Sequence, residues 1–394
     1  MPRRASVYVH FPWCLAKCPY CDFVSYAAPR DSIDHEGYAD AVLSELALRV
    51  PELLGDSALR IASIFFGGGT PSLWAPRALG RVLAGIKSAL ACDEANLEVT
   101  VECNPTSLDL ESARALHSEG VNRLSIGTQS LRADQLKYLG RLHDPDGARV
   151  ALHAALSSGV PRVSTDLIFG LPGEPPELAA AEASALADLG LSHLSCYQLT
   201  IEPGTQFGEL AKRGRLPRAD DGMVADSFLA IDEALSRRCF GHYEISNYAK
   251  PGEEARHNLG YWRGEEYVGL GCAAFGFLRH GGAASDAVRY RNDPDPRRYV
   301  ESTKSAGALE GRTTRELLDA EALLRERIML GLRLATGIDL EAAANELGVR
   351  GWTFERSREA ARLEERGRLV REGSQIRLSP RAWLWADDAA ARLF

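Results

Sequence analysis

The sequence predicts an α/β protein built on a parallel sheet, and three observations carry that expectation. Short β-rich runs recur with helix-length segments between them, at least six times in strict alternation. Several of these runs are continuously apolar rather than alternating, as expected of strands covered on both faces. The chemistry-bearing residues fall at or just after the ends of the runs. Alternation of this kind produces either a doubly wound sheet or a (β/α) barrel, and in a barrel the functional residues sit on loops at the carboxyl ends of strands.

The elements follow in order. "SVYVHF" (6–11) is the first strand, and Cys14, Cys18 and Cys21 come directly after it. The Ala/Leu-rich stretch 32–54 has helix length, and "IASIFF" (61–66) then runs into Gly67, Gly68, Gly69 and Thr70. Helix 75–90 leads to "LEVTVE" (97–102), which ends on Glu102; helix 107–119 leads to "RLSIG" (123–127), with Gln129 just beyond. Helix 144–158 precedes "VSTDLIFG" (163–170), which contains Asp166, and helix 174–189 precedes "LSCYQL" (194–199).

After "GLGCAAFGF" (269–277) the pattern breaks, and the Gly-, Pro- and charge-rich segment 281–311 reads as a linker between domains 1–280 and 312–394. Thr313 and Glu316 form a capping-box sequence that predicts the start of a long helix, with Leu317, Leu324 and Ile328 on one face. "GRLVREGSQIRLS" reads as two β-like runs about a turn at Gly373. Helices followed by a hairpin predict a small winged-helix-like α+β domain. Many such domains serve only as packing modules, and that is the expectation here.

Composition narrows the function. Of 394 residues, 45% are hydrophobic and 25% charged, globular values that exclude a disordered chain. A net charge of −8 argues against a general nucleic-acid binder, since phosphate neutralisation needs an excess of Lys and Arg. Residues 350–381 carry nine Arg against five Glu and read as a solvated helix face. No apolar run approaches the roughly 20 residues of a membrane span. The first ten residues lack a secretory signal, so the expected compartment is the cytoplasm. Cys92, Cys103, Cys196, Cys239 and Cys272 are scattered singly and read as small buried hydrophobes.

Cys14, Cys18 and Cys21 are different. Thiolates select zinc or iron–sulfur clusters over hard cations. Three cysteines in C-x3-C-x2-C let one loop wrap three corners of a cluster, with Pro19 stiffening the bend. A closed zinc site would need a fourth ligand, for which His10 or Asp22 is available. The alternative is a [4Fe–4S] cluster with one iron left open.

This motif, with Tyr20 before the third cysteine and Gly-Gly-Gly-Thr-Pro after the next strand, resembles the radical S-adenosylmethionine (SAM) superfamily. "YVHFPWC", "CPYCDF", "FFGGGTPSLW", "VECNP", "RLSIGTQS", "DLIFGLPGE", "YEISNYAKPGEEARHNLGYW" and "LGLRLATGIDL" narrow the resemblance. They match the branch that contains the oxygen-independent coproporphyrinogen III dehydrogenase and the HemW heme chaperones. It covers nearly the whole chain and implies a partial (β/α)6 barrel over 1–280. A [4Fe–4S] cluster on Cys14, Cys18 and Cys21 is implied, with the open iron chelated by SAM. The matching positions assign SAM contacts to Gly68, Gly69, Thr70, Glu102, Gln129, Arg141 and Asp166, with Tyr8 and Tyr20 near the cluster. The dehydrogenase's motif continues to a further cysteine, where this chain has Asp22 and Phe23, and it carries an N-terminal extension absent here. Both differences favour the chaperone branch.

The "HNLGYW" segment, with His257, Asn258, Tyr261 and Trp262, resembles a motif associated with heme binding, and it makes His257 the candidate axial ligand. Cys272 and His280 are weaker candidates. The resemblance therefore implies heme as cargo, with heme-accepting proteins and an electron donor as partners; the acidic balance sets the expectation of no nucleic acid. The competing expectation is the dehydrogenase activity, in which SAM chemistry converts propionate side chains to vinyl groups with loss of CO2.

Overall fold

The structure is a computed structural model that describes residues 3–53, 59–279 and 287–394. Six strands lie side by side in chain order, each parallel to the next: β1 (Arg3–Phe11), β2 (Leu59–Gly68), β3 (Glu98–Cys103), β4 (Arg123–Gln129), β5 (Arg162–Phe169) and β6 (His193–Gln198). Helices α1 (His35–Leu53), α2 (Pro76–Ala89), α3 (Leu110–Ser118), α4 (Pro145–Leu156) and α5 (Pro176–Ala187) fill the crossovers. The six runs and five helical segments expected from alternation are all present.

The division of residues between the two faces explains the curvature and the site. Val7, Val9, Phe11, Ile61, Ile64 and Phe66 are fully buried in the same core as Val42, Leu79, Val82 and Ile86 of α1 and α2. Each such side chain stabilises the fold by about 1.5–3 kcal/mol relative to exposure. Alternate positions on the other face are polar: Glu98, Thr100 and Glu102 on β3, Arg123 and Ser125 on β4, Asp166 on β5. Polar groups that line a concave sheet are costly unless bonded; part of this set is paired at the floor of the barrel, while Thr100 Oγ1 and Arg123 Nη1 have no partner among the described residues. Arg123 Nε donates to Glu98 Oε2 at 3.0 Å with both side chains almost fully buried. Its Nη2 also donates to the Glu253 carbonyl at 2.8 Å.

Beyond β6, helix α6 (Asp221–Ser236) leads to β7 (Gly241–Glu244) and β8 (Asn247–Ala249), which extend that edge antiparallel. Helix α7 (Arg256–Trp262) lies against β1 and β2. The other edge continues through β9 (Glu266–Leu270), parallel to β1, and then antiparallel β10 (Phe275–Arg279), β11 (Ala287–Arg291) and β12 (Thr314–Leu318). The C-terminal unit holds α8 (Ala320–Gly331), α9 (Leu340–Leu347), α10 (Phe354–Glu365) and α11 (Ala386–Arg392). A hairpin of Leu369–Glu372 and Gln375–Leu378 turns at Gly373 and pairs with Ile338–Asp339, a winged-helix arrangement.

Three expectations are corrected. The capping-box pattern at Thr313 and Glu316 marks strand β12, which begins at Thr314, and not a helix start; α8 begins at Ala320, where Asp319 accepts from the Ala322 N–H at 2.8 Å. Leu324 and Ile328 are buried as expected, but Leu317 is 83% exposed on the edge strand. The segment 281–311 is not a plain linker, since β11 and the helices Pro296–Ser302 and Ala306–Glu310 fall within it and the main sheet runs on to Leu318. Of the scattered cysteines, Cys103, Cys196 and Cys272 are buried, but Cys92 is half-buried and Cys239 is exposed. His280 lies outside the described residues.

Candidate functional site

A pocket of about 160 Å³ opens at the carboxyl ends of the strands. It is lined by Cys14, Cys18, Cys21, Tyr20, Gly68, Gly69, Thr70, Glu102, Gln129, Arg141 and Asp166. All the residues assigned to the cluster and to SAM are there, with Tyr20; Tyr8, His257 and the weaker heme-ligand candidate Cys272 are not. Ser125, Cys103 and Asn104 also line it and were missed. The signal for Ser125 was its place on β4 two residues after Arg123, on the polar face of an otherwise apolar strand.

Backbone hydrogen bonds shape the cysteine loop. The Gly69 N–H donates to the Phe11 carbonyl at 2.7 Å, and the Thr70 N–H to the Trp13 carbonyl at 2.8 Å. Tyr26 and Ala28 return the loop by donating to Pro12 and Cys14 carbonyls at 2.8 and 2.9 Å. His10 closes it from beneath, with Nε2 2.9 Å from the Val24 carbonyl and Nδ1 3.0 Å from the Tyr8 hydroxyl. Burial pushes His10 down to about 4, so it is neutral, and with both ring nitrogens engaged it is not aimed at the thiols as a zinc ligand would be. Gly68 sits over that ring at φ 108°; a Cβ there would meet His10 atoms at 2.5–2.8 Å.

Electrostatics vary around the pocket. Burial raises the Cys14 thiol, opposed by bonds from the Thr70 and Ser25 hydroxyls, and burial likewise raises Cys21. Ligating a metal requires thiolates, so loading would release protons. Arg141, half-buried, donates through Nη1 to Cys18 Sγ at 3.5 Å and through Nη2 to the Gly127 carbonyl at 2.7 Å. A guanidinium there favours negative charge on the sulfur. Glu102 accepts from the Gly68 N–H at 3.1 Å, and burial, with the Asp166 charge, pushes it up to about 8. Asp166 accepts from Ser125 Oγ at 3.3 Å and is raised by burial to about 6.

The pocket thus offers three thiols on one side and two reluctant carboxylates on the other. It also holds two buried atoms without partners among the described residues, Gln129 Oε1 and Arg141 Nε. Gln129 has φ 66° at a strand irregularity, a left-handed conformation that costs a non-glycine residue on the order of 1–3 kcal/mol and clusters at functional sites. These groups fit a cationic, amine-bearing ligand between the carboxylates and a thiolate-held cluster.

Tyr8 and His257 lie apart. Tyr8 stacks on Phe65 with centroids 6.2 Å apart, next to Gly67. His257 is 1% exposed; Nδ1 is 3.0 Å from Ser63 Oγ, Nε2 is 3.1 Å from the Tyr261 hydroxyl, and its ring stacks on Phe65 at 4.8 Å. Burial lowers it to about 3.

A larger cavity, about 670 Å³, adjoins the pocket and shares Tyr20, Cys21, Glu102, Gln129 and Asp166 with it. Its far wall is Trp383, Leu384 and Trp385 from the C-terminal unit, with Arg333, and Phe23 and Tyr197 line it as well. Trp385 followed the hairpin by sequence but reaches the barrel only in three dimensions, which no local pattern signals.

A three-cysteine loop over a partial parallel barrel, with carboxylates and a glycine turn at the strand ends, defines a radical SAM protein. Residues 8–182 match the radical SAM superfamily and residues 318–385 the HemN C-terminal domain. The heme chaperone HemW of Escherichia coli (strain K12) is 37% identical over 80% of this chain and 79% of its own length. That of Mycobacterium tuberculosis (strain ATCC 25618 / H37Rv) is 35% identical over 98% and 94%. The crystallised coproporphyrinogen III oxidase HemN of Escherichia coli superimposes with a TM-score of 0.79 at 19% identity, covering 100% of this chain and 90% of that one, a likeness of fold. The chain belongs to the HemW family of the radical SAM superfamily, and membership implies a [4Fe–4S] cluster and SAM. Among the described residues no helix is long and apolar enough to cross a membrane.

Proposed function

We propose that this protein is a heme carrier: it binds heme, holds it beside a SAM-ligated [4Fe–4S] cluster, and hands it to acceptor proteins. The carrying observation is similarity to heme chaperones over most of the chain, 35% identity across 98% of it in one case. Cys14, Cys18 and Cys21 would hold the cluster. Gly68, Gly69, Thr70, Glu102, Gln129, Arg141 and Asp166 would hold SAM. When bound, these groups supply one-electron reductive chemistry. The chain's own share is to deliver thiolates, to keep Arg141 against Cys18, and to exclude water behind Tyr20. Glu102, protonated while the site is empty, would ionise when a cationic amine neutralises its neighbourhood.

Asp22 and Phe23 in place of a further cysteine support the carrier over the dehydrogenase. Axial ligation by His257 would require its bonds to Ser63 and Tyr261 to open. The proposed compartment is the cytoplasm, and the proposed partners are heme acceptors and an electron donor.

The test is anaerobic incubation of the cluster-reconstituted protein with SAM, a reductant and coproporphyrinogen III, beside transfer of heme from the loaded protein to an apo-globin. The proposal expects transfer without protoporphyrinogen formation. Stoichiometric protoporphyrinogen would replace the carrier with an enzyme.

A further inference from the structure

The 670 Å³ cavity meets the cluster pocket at Cys21 and Tyr20 but runs on to the C-terminal unit, and that extension has a chemistry of its own. Its size falls within the range of about 300–1,000 Å³ that encloses drug-sized ligands. Phe23, Tyr197 and Trp385, three of the chain's most exposed aromatic residues at 57%, 40% and 45%, all line it. Large aromatics left solvated around one concavity mark a ligand surface. One cation accompanies them. Arg333 lines the cavity, and its buried Nε has no hydrogen-bond partner among the described residues. Glu244 acts on it electrostatically but closes no ion pair with it. Of the carboxylates that also line it (Asp22, Glu102, Asp166, Glu202, Asp387 and Asp388), Asp388 is occupied by Arg392 at 2.9 and 3.0 Å.

Aromatic rings beside an incompletely satisfied guanidinium suit a flat apolar ring system that carries carboxylates. His257 offers no such space: it is buried, stacked on Phe65, and bonded at both nitrogens. The HNLGYW segment does not line the cavity but touches one of its lining residues, since the Arg333 guanidinium carbon lies 4.6 Å from the centroid of the Trp262 ring.

We propose that heme seats in the cavity between the barrel and the C-terminal unit. Arg333 binds a propionate, Phe23, Tyr197 and Trp385 contact the ring, and Trp262 is a positioning residue acting through Arg333. The assignment rests on the heme-carrier reading and adds where the heme lies.

The experiment titrates the full-length, cluster-loaded protein with three probes: hemin, iron-free protoporphyrin IX, and its dimethyl ester. Arg333→Gln should weaken hemin and protoporphyrin IX about ten- to a hundredfold, the scale of a lost hydrogen bond to a charged group. The diester, with no carboxylate to lose, should bind unchanged. Arg333→Lys should restore part of the affinity, and Trp262→Leu should resemble Arg333→Gln. Trp385→Ala, at a position 45% exposed, should weaken all three probes, with a urea unfolding curve to check that the variant folds. Wild-type affinity for hemin in both Arg333→Gln and Trp385→Ala would overturn the cavity assignment while leaving the carrier reading intact. Absence of saturable binding by the unsubstituted protein would overturn both.

Discussion

Gly68 offers a sharp test of how the cluster loop is built. Substitution by Ala meets two penalties. Its φ of 108° is a conformation that L residues occupy at a cost on the order of 1–3 kcal/mol. The new Cβ would also lie 2.5 Å from His10 Cε1, so the ring must move and lose its contacts to Val24 and Tyr8, each worth about 1 kcal/mol. The total is about 3–5 kcal/mol. Gly173 supplies the control, since its φ is 72° and nothing lies within 4 Å of the Cβ position, leaving only a backbone cost of about 1–2 kcal/mol. Urea unfolding of both variants without cluster should therefore separate them by about 2–3 kcal/mol. The Gly68→Ala protein should also take up less iron on reconstitution, because Val24 lies three residues past Cys21. Equal stabilities for the two variants would show that His10 does not brace the loop.

Glu102 gives a pH dependence. Its pKa is raised from 4.5 to about 8, so the native ligand-free protein holds a proton that the unfolded chain releases. Stability is full below about pH 4.5 and declines as pH rises through 8, by a ceiling of about 5 kcal/mol at 1.4 kcal/mol per unit. Thermal melts should show this slope and its flattening in Glu102→Gln; a wild-type slope in the variant would remove Glu102 as its source. Arg141→Leu should move the cluster potential to more negative values, on the order of 50 mV, because a positive charge leaves Cys18. An unchanged potential in spectroelectrochemical titration would contradict that. His257→Ala should cost about 2–4 kcal/mol in urea unfolding through an internal void and stranded Ser63 and Tyr261 hydroxyls. A neutral effect would mean His257 is not the packed core residue seen here.

The barrel was legible because its signals are local. Apolar runs mark β1 to β6, and the thiols and glycine turn follow strand ends at fixed offsets. What failed depends on partners far along the chain. Thr313 to Leu318 carries a capping pattern, yet pairing with Ala287–Arg291 makes it a strand. The packing of His257 is likewise not written in "HNLGYW", which does not reveal that Glu98, 159 positions earlier, accepts from its N–H and that Phe65 covers its ring. The cavity was invisible for the same reason, since Phe23, Tyr197, Arg333 and Trp385 meet only when the C-terminal unit closes on the barrel.

Whether this chain carries heme is read by titrating the cluster-reconstituted protein with hemin and following the Soret band. A heme carrier gives a saturable band at one heme per chain. A featureless, non-saturating titration would contradict the heme-carrier proposal.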